Sequence, residues 1–363
     1  MLTPSSRMTD ESYGCFVSQV QRVVRFVVPW SDSVAVVSKG DDDFLDLEDR
    51  VVWLFPATPR LHGDDRQSGA RLIAELEALR RKGASFLIFP SAEFRGFDRY
   101  IGLRPHLESC YRIIARTDSC IVFSLRWPID GTFRNSGAPD NLPLPPPELM
   151  RLTVSYDDSE KFYRSGKRGA EWIRDLLHRH NIDLASVGSL LDFGCGCGRV
   201  IRHWQSLEGV RVHGADYNPY LVEWCRTHLP FADFHLTPPA VELELADNSL
   251  GLVYAISVFT HLDRDLQRHV LDQLARVLKP GGLLLLTLHG STRLDAMSVE
   301  ERSSFDAGEM VVRRSERAGS NACTTFHPEV YIRSVLADGF KLLELVPGGA
   351  QDVNQDAVLL QKL

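Results

Sequence analysis

The stretch LLDFGCGCGRV, from Leu190 to Val200, decides the fold of this chain. Its apolar run ends in an acid, Asp192, after which glycine alternates at Gly194, Gly196 and Gly198. This order predicts a buried parallel strand that turns tightly over a nucleotide-like ligand and enters a helix. Glycine suits the turn because a Cβ there would hold such a ligand away from the backbone.

The spacing of the glycines separates two classes of nucleotide-binding protein. A dinucleotide fingerprint requires G-x-G-x-x-G, whose third small residue packs the helix on the strand. Here Arg199 occupies that third position, and Gly198 lies one residue earlier. A nicotinamide-dependent dehydrogenase is therefore an alternative that Arg199 disfavours.

Length and composition bound the class of protein. A chain of 363 residues with 44% hydrophobic residues favours two globular domains. The net charge of -7 and the lack of a long basic run disfavour nucleic acid as a partner. Seven irregularly spaced cysteines do not suggest a disulfide framework. Nothing in the sequence indicates the oligomeric state.

The N-terminal region shows no signal-peptide layout, so a cytoplasmic location is the default expectation. The valine-rich segment Phe16–Trp30 carries two arginines and is too short to span a bilayer. It predicts an amphipathic helix ended by Pro29, with a peripheral membrane helix as the alternative. Stable membrane insertion is not expected.

Strands and helices alternate through the C-terminal half. The predicted strands are Gly188–Phe193, Val210–Asp216, Phe231–Leu236, Gly251–Ile256 and Leu283–Leu288, followed by a closing hairpin of Phe340–Pro347 and Asp356–Gln361. The predicted helices are Arg199–Leu207, Pro219–His228 and Asp265–Leu278. This alternation predicts an α/β fold with a doubly wound parallel sheet and a late antiparallel edge.

The N-terminal part has a pattern of its own, typical of a smaller α/β domain. Its predicted strands are Ser33–Val37, Val51–Phe55, Phe86–Phe89 and Cys120–Leu125, and its predicted helices are Ala70–Arg81 and Leu103–Ile114. We therefore divide the chain into an accessory domain, residues 1–130, a proline-rich linker, 131–150, and a second domain, 151–363.

An acid closes the second strand of the C-terminal domain. Asp216 follows the glycine turn by about 20 residues, where a carboxylate can accept both hydroxyls of a ribose. The alternative is that Asp216 caps the helix that begins near Pro219. The adjacent Tyr217 either packs on an adenine or lies at the surface.

Four passages in order carry a family resemblance: the glycine turn, Gly214–Pro219, YAISVFTHLD at Tyr254–Asp263, and VLKPGGLLLL at Val277–Leu286. Together they resemble class I S-adenosylmethionine-dependent methyltransferases, over about Leu149–Leu363. The resemblance implies a Rossmann-like, seven-stranded methyltransferase sheet with S-adenosylmethionine as cofactor. The cofactor-binding residues that it implies are Asp192, Gly194, Cys195, Gly196, Gly198, Asp216, Tyr217, Tyr163, Gly166 and Ser257.

Two of these predicted contacts are specific. Asp192 is expected to meet the ammonium group of the cofactor. Tyr163, Arg164 and Gly166, in the helix before the turn, are expected to approach its carboxylate, and an ordinary amphipathic helix with a solvated basic face is the alternative.

Methyl transfer is an in-line displacement at a sulfonium carbon, so the protein mainly aligns and desolvates the reactants. A hydroxyl acceptor benefits from a general base, and imidazole titrates in the useful range. His261, His289 and His327 are the candidate catalytic residues. The alternatives are that His261 only caps a turn and that His327 only begins a helix.

The two thiols of the turn raise the question of a metal. Cys195 and Cys197 form a C-x-C pair near Cys225, but no C-x-x-C partner exists. We expect no metal and interpret these cysteines as small packing residues.

The predicted function is transfer of a methyl group from S-adenosylmethionine to a small-molecule or glycan-related acceptor. The glycan aspect rests on the N-terminal domain, which is similar to small α/β domains that accompany bacterial glycan-modifying enzymes. The alternative is a non-catalytic S-adenosylmethionine-binding or scaffold protein with the same fold. The methylated atom, oxygen, nitrogen or carbon, is not predicted.

Overall fold

A computed structural model of the chain describes residues 10–38, 47, 50–56, 66–91, 102–128, 138–238, 240–350 and 352–363. The chain divides into two compact units, of which one is Met1–Ser136 with Pro146–Ser155 and the other is Gly137–Pro145 with Tyr156–Leu363. Part of the predicted linker, 131–137, lies outside the described residues. The predicted domain limits at 130 and 150 stay a prediction.

The N-terminal unit is built on a five-stranded mixed sheet. Its strands are β1 (Val34–Val37), β2 (Val52–Phe55), β3 (Phe86–Pro90), β4 (Tyr111–Arg116) and β5 (Cys120–Pro128), in the order β2-β1-β3-β5-β4. The first three are parallel, whereas β5 is antiparallel to both β3 and β4. Its helices are α1 (Asp10–Val27), α2 (Arg66–Arg81), α3 (Leu103–Cys110) and α4 (Pro147–Thr153).

Two predictions for this unit change in detail. The helix predicted over Leu103–Ile114 ends at Cys110, because Tyr111–Arg116 pairs as a strand with β5. The valine-rich helix ends at Val27, and its apolar side chains Val17, Val20 and Val24 are buried. No described helix is long and apolar enough to cross a membrane.

The C-terminal unit contains a seven-stranded sheet. Its strands are β6 (Ser189–Phe193), β7 (Arg211–Asp216), β8 (Asp233–Leu236), β9 (Leu250–Ala255), β10 (Leu278–Leu288), β13 (Phe340–Ala350) and β14 (Gln355–Lys362), and a separate ribbon joins β11 (Val311–Arg313) to β12 (Thr324–Phe326). The order is β13-β14-β10-β9-β6-β7-β8, with β14 antiparallel to both of its neighbours. The predicted doubly wound sheet with an antiparallel edge is therefore confirmed.

Helices flank this sheet and connect its strands. They are α5 (Ser159–Arg179), α6 (Pro219–His228), α7 (Arg264–Val277), α8 (Val299–Asp306) and a short α9 (Glu329–Tyr331), which a π-helical turn over Ile332–Leu336 continues. The helix predicted over Arg199–Leu207 is only a 3₁₀ turn, Ile201–Trp204. Its Arg202 is fully buried and donates to both carboxylate oxygens of Asp140, at 2.7 and 3.0 Å.

The parallel strands of the sheet have their carboxyl ends on one side, which we name the reactive edge. Strands β6, β7, β9 and β10 are parallel, so their carboxyl ends lie together. Because β14 is antiparallel to β10, its first residues lie at the same edge, where Asp356 is opposite Leu288. Ligands of doubly wound sheets bind outside this edge.

Candidate active site

The glycine turn follows β6, and its three glycines have backbone conformations that other residues rarely adopt. Gly194, Gly196 and Gly198 have φ values of 80°, 56° and 83°. A Cβ on Gly194 would also lie 2.3 Å from Val258 Cγ2. The N–H groups of Gly194 and Cys195 donate to the carbonyl of Ala215, at 2.7 and 3.0 Å. The turn is thus fastened to the end of β7 and needs glycine for both conformation and space.

Helix α5 packs directly on this turn. A Cβ on Gly166 would lie 1.8 Å from the carbonyl oxygen of Arg199. Tyr163, one turn earlier, packs its ring against His203 with centroids 4.9 Å apart, and the Arg202 guanidinium lies 5.7 Å from its centroid. The structure therefore brings Gly166 against the backbone of the turn and Tyr163 against the 3₁₀ turn that follows it.

Asp216 joins the glycine turn to the loop after β7. One carboxylate oxygen accepts the N–H of Gly196 at 2.9 Å, and the other accepts that of Asn218 at 2.9 Å. Helix α6 is capped by Asn218, whose side chain accepts the N–H of Tyr220 at 3.0 Å. The alternative that Asp216 caps this helix is therefore wrong.

Burial raises the pKa of Asp216 to about 6, against the opposing effect of backbone N–H donors that include Tyr217. Each carboxylate oxygen can accept a second hydrogen bond besides the backbone one. Asp216 thus keeps acceptor capacity for hydroxyl groups of a ligand at the turn.

Asp192 lies beside Tyr254 of β9 in the register of the sheet. Burial raises the pKa of Asp192 to about 7, while a hydrogen bond from Tyr254 and the charge of Arg199 act in the opposite direction. The Tyr254 hydroxyl in turn accepts from Trp204 Nε1 at 2.7 Å. A cationic group placed at this carboxylate would favour its ionised form.

The cysteines of the turn are buried and hydrogen-bonded. Cys225 Sγ lies 3.4 Å from the carbonyl oxygen of Gly196. A hydrogen bond with Cys225 and burial raise the pKa of the Cys195 thiol, and Cys197 is fully buried. Within the described ranges, no group of three or more His, Cys, Asp or Glu side chains could hold a metal ion.

The three candidate histidines meet near the carboxyl end of β10. The N–H of His327 donates to the carbonyl of His289 at 2.8 Å. Burial, followed by the charges of Arg293 and His261, lowers the pKa of His289 to about 4. All three are therefore neighbours, although their surroundings differ.

The imidazole rings of His261 and His327 both contact other groups of the protein through a ring nitrogen. His261 Nδ1 lies 2.7 Å from the carbonyl oxygen of Cys323, and burial lowers its pKa. His327 is fully buried, with Nε2 at 2.8 Å from the side-chain nitrogen of Gln267, and burial lowers its pKa to about 3. His327 is thus enclosed in the core.

A polar cluster lies beside His289, and of its three members the sequence predicted only Ser257, as a cofactor-binding residue; we name Ser257, Thr287 and Gln355 the Gln355 cluster. Gln355 accepts from Thr287 Oγ1 at 2.6 Å and donates to Ser257 Oγ at 2.8 Å, and its nitrogen lies 3.4 Å from His289 Nε2. Ser257 has a φ of 59° and donates its N–H to Thr287 Oγ1 at 2.7 Å. For Gln355, the sequence signal was a polar pair, Gln355 and Asp356, at the start of an otherwise apolar strand.

The turn between β13 and β14 is also fastened to the glycine turn. Arg199 pairs with Asp352 at 2.5 Å, and Arg168 of α5 pairs with the same carboxylate at 3.1 Å. Arg199 thus connects the glycine turn to the closing hairpin.

Residues 191–286 match the model of a family described as a methyltransferase domain. Methyltransferase GfsG of Streptomyces halstedii is 29% identical over 188 residues, which is 50% of this chain and 61% of that protein. Sterol 24-C-methyltransferase ERG6A of Gibberella zeae is 27% identical over 134 residues, which is 35% of this chain and 33% of that protein. The chain thus spans about a third and about three fifths of these two relatives.

Among solved structures, Burkholderia thailandensis 1,6-didemethyltoxoflavin-N1-methyltransferase is similar with a TM-score of 0.41 and 15% sequence identity, over 59% of this chain and 84% of that chain. The family match covers the glycine turn, Asp216, and strands β9 and most of β10. The family match therefore places a methyltransferase domain within the C-terminal unit, over residues 191–286.

Proposed function

We propose that this chain transfers a methyl group from S-adenosylmethionine to a small-molecule acceptor. The observation that carries the proposal is the placement of two buried carboxylates, Asp192 and Asp216, at one glycine turn. They come from adjacent strands and lie at the edge of the sheet where ligands bind. The family match over the same residues supports the proposal.

The donor side is assigned to residues around the turn. Asp216 would accept the ribose hydroxyls, and Asp192 would meet the ammonium group. The backbone of Gly194, Gly196 and Gly198 would approach the cofactor closely because no Cβ intervenes. The cofactor supplies the electrophilic methyl group, and the chain orients it and excludes water.

The acceptor side is assigned to the carboxyl ends of β9 and β10. His289 follows β10, and His261 lies in the 3₁₀ turn Phe259–His261 after β9. Both have lowered pKa values, so both are neutral near pH 7 and able to accept a proton from a hydroxyl acceptor. The Gln355 cluster would hold His289 in orientation. We propose no chemical role for the enclosed His327.

The proposed acceptor is defined by its chemical class, a small molecule. One relative, from Gibberella zeae, is named for a sterol substrate, which favours a small molecule over a macromolecule. The proposed small-molecule class includes a glycan-related acceptor.

The ionisation of Asp192 predicts how cofactor affinity depends on pH. Since its pKa is raised to about 7, the carboxylate is mostly protonated below that pH and ionised above it. We expect affinity for S-adenosylhomocysteine to rise severalfold from about pH 6 to about pH 8, since the ionised form attracts an ammonium group. Isothermal titration of the wild type and Asp192→Asn at both pH values measures this. An equal rise in the variant would remove Asp192 from the role.

Turnover separates an enzyme from a binding protein with the same fold. The purified chain and S-adenosylmethionine would be incubated with a panel of phenols, amines, carboxylates, phosphorylated compounds and saccharides, and S-adenosylhomocysteine would be quantified. We expect release that depends on one acceptor class. Cofactor binding without acceptor-dependent release from any member would favour the non-catalytic alternative.

A further inference from the structure

We propose that the methyl acceptor carries a carboxylate or phosphate group and that Arg293 binds it. This inference rests on the proposed function and deepens it by naming the chemical class of the acceptor. Arg293 would be a specificity-determining residue on the acceptor side, next to His289.

The position of Arg293 follows from the strand that precedes it. Arg293 lies in the 3₁₀ turn Ser291–Ala296, directly after β10 and His289. Its Nη2 lies 3.5 Å from the carbonyl oxygen of Val353, in the turn between β13 and β14. The neighbouring Asp352 pairs with Arg199 of the glycine turn. Arg293 therefore lies at the reactive edge of the sheet.

Arg293 has unused hydrogen-bonding capacity there. Its Nε is buried without a hydrogen-bond partner, and the contact to Val353 is at the limit of hydrogen-bonding distance. Among the residues that the structure describes, no carboxylate lies within 4.0 Å of its guanidinium. An unsatisfied buried donor is unfavourable, and more so on a charged group.

Three other arginines of the C-terminal unit are paired with carboxylates. Arg199, Arg202 and Arg313 each donate to a carboxylate, and the partners are Asp352, Asp140 and Glu301. The absence of such a partner at Arg293 therefore leaves a positive charge at the site that a ligand can satisfy. A neutral hydroxyl would not balance this charge.

The carboxylate of Asp356, in the same region, already accepts hydrogen bonds from other groups. Asp356 accepts the N–H of Ser291 at 3.1 Å, the Thr292 hydroxyl at 2.7 Å and the N–H of Gly348 at 2.9 Å. These donors hold Asp356 to the backbone of two turns. Its carboxylate therefore stabilises the loop that carries Arg293 without pairing with the guanidinium.

The positive charge of Arg293 lowers the pKa of His289. The charged or titratable groups that act on His289 are Arg293 and His261, with His327 as its other imidazole neighbour, and Arg293 contributes the larger of the two charge effects that lower its pKa. An anion bound to Arg293 would offset this repulsion and raise the pKa of His289. Guanidinium binds carboxylate and phosphate with paired, charge-assisted hydrogen bonds, which suits this role.

The test uses the full chain labelled in its histidine side chains and saturated with S-adenosylhomocysteine. The ring resonance of His289, assigned with His289→Asn, is followed by NMR while sodium phosphate or sodium acetate is added at constant ionic strength. We expect a saturable shift with one or both anions and a higher His289 pKa at saturation. A response to phosphate alone indicates a phosphorylated acceptor, and a response to acetate alone or to both indicates a carboxylate group.

Two variants decide whether Arg293 is responsible. Arg293→Gln is expected to weaken the binding of the anion by at least about tenfold. In the absence of any anion, the same variant is expected to raise the pKa of His289. The control is Arg302→Gln, an exposed arginine of α8 that pairs with Asp306 at 3.6 Å and is expected to retain wild-type anion affinity. The proposal is overturned if neither anion gives a saturable shift in the wild type, or if Arg293→Gln responds as the wild type does.

Failure of the proposed function remains distinguishable. If S-adenosylhomocysteine does not bind at the loading step, the proposed function fails. The same anion titration on the unloaded chain still tests Arg293.

Discussion

Replacing Asp216 with alanine is expected to weaken the binding of S-adenosylhomocysteine by about a hundredfold or more. Two hydroxyl hydrogen bonds to a charged acceptor contribute about 1.5 kcal/mol each at the low end, and each 1.4 kcal/mol is a factor of about ten. The substitution also leaves the N–H groups of Gly196 and Asn218 without their carboxylate acceptor. The glycine turn would therefore lose a ligand contact and an internal support together.

Isothermal titration of wild type and variant measures this effect. The matched control is Asp233→Ala, on the neighbouring strand β8, where the half-exposed carboxylate pairs with Arg211 at 2.9 Å. We expect the control to keep wild-type affinity. Unchanged affinity in Asp216→Ala would remove Asp216 from the ribose role.

Replacing Gly166 with alanine is expected to destabilise the C-terminal unit by about 3 kcal/mol and to weaken cofactor binding. The added methyl would lie 1.8 Å from the backbone oxygen of Arg199, which cannot move without moving the glycine turn. Overpacking of a tight contact costs about 1–3 kcal/mol and occasionally more. Helix α5 and the turn would have to separate.

The control lies three residues, about one helical turn, further along the same face of α5. A Cβ on Gly169 would be 3.3 Å from Val200 Cγ2, a side-chain methyl that needs to shift by only a few tenths of an ångström. Alanine also has the higher helix propensity, so Gly169→Ala is expected to change stability by less than about 1 kcal/mol. Denaturant unfolding and cofactor titration of both variants test the difference. Equal stability of the two would contradict the close packing of α5 on the turn.

Local patterns predicted the parts of the site that lie within one strand–turn–helix unit. The glycine turn and the acid at the end of β7 could be recognised because each needs a particular residue at a particular backbone position. The structure adds that Asn218, and not Asp216, caps helix α6. That distinction depends on where a side chain is aimed, which spacing alone does not determine.

The parts of the site that were missed depend on contacts between distant segments. Gln355 reaches Ser257 across 98 positions of the chain, and Arg199 reaches Asp352 across 153. Both contacts exist because β14 runs antiparallel beside β10 and brings the closing hairpin to the reactive edge. The same limit applies to the end of the helix predicted over Leu103–Ile114, where Tyr111–Arg116 forms a strand through pairing with β5.

Titration of the full chain with S-adenosylhomocysteine tests the central claim most directly, since it requires no knowledge of the acceptor. We predict saturable binding at one site per chain, lost or strongly weakened in Asp216→Ala and retained in Asp233→Ala. No detectable binding by the wild type at about pH 8, where Asp192 is ionised, would contradict the assignment of the glycine turn to this cofactor.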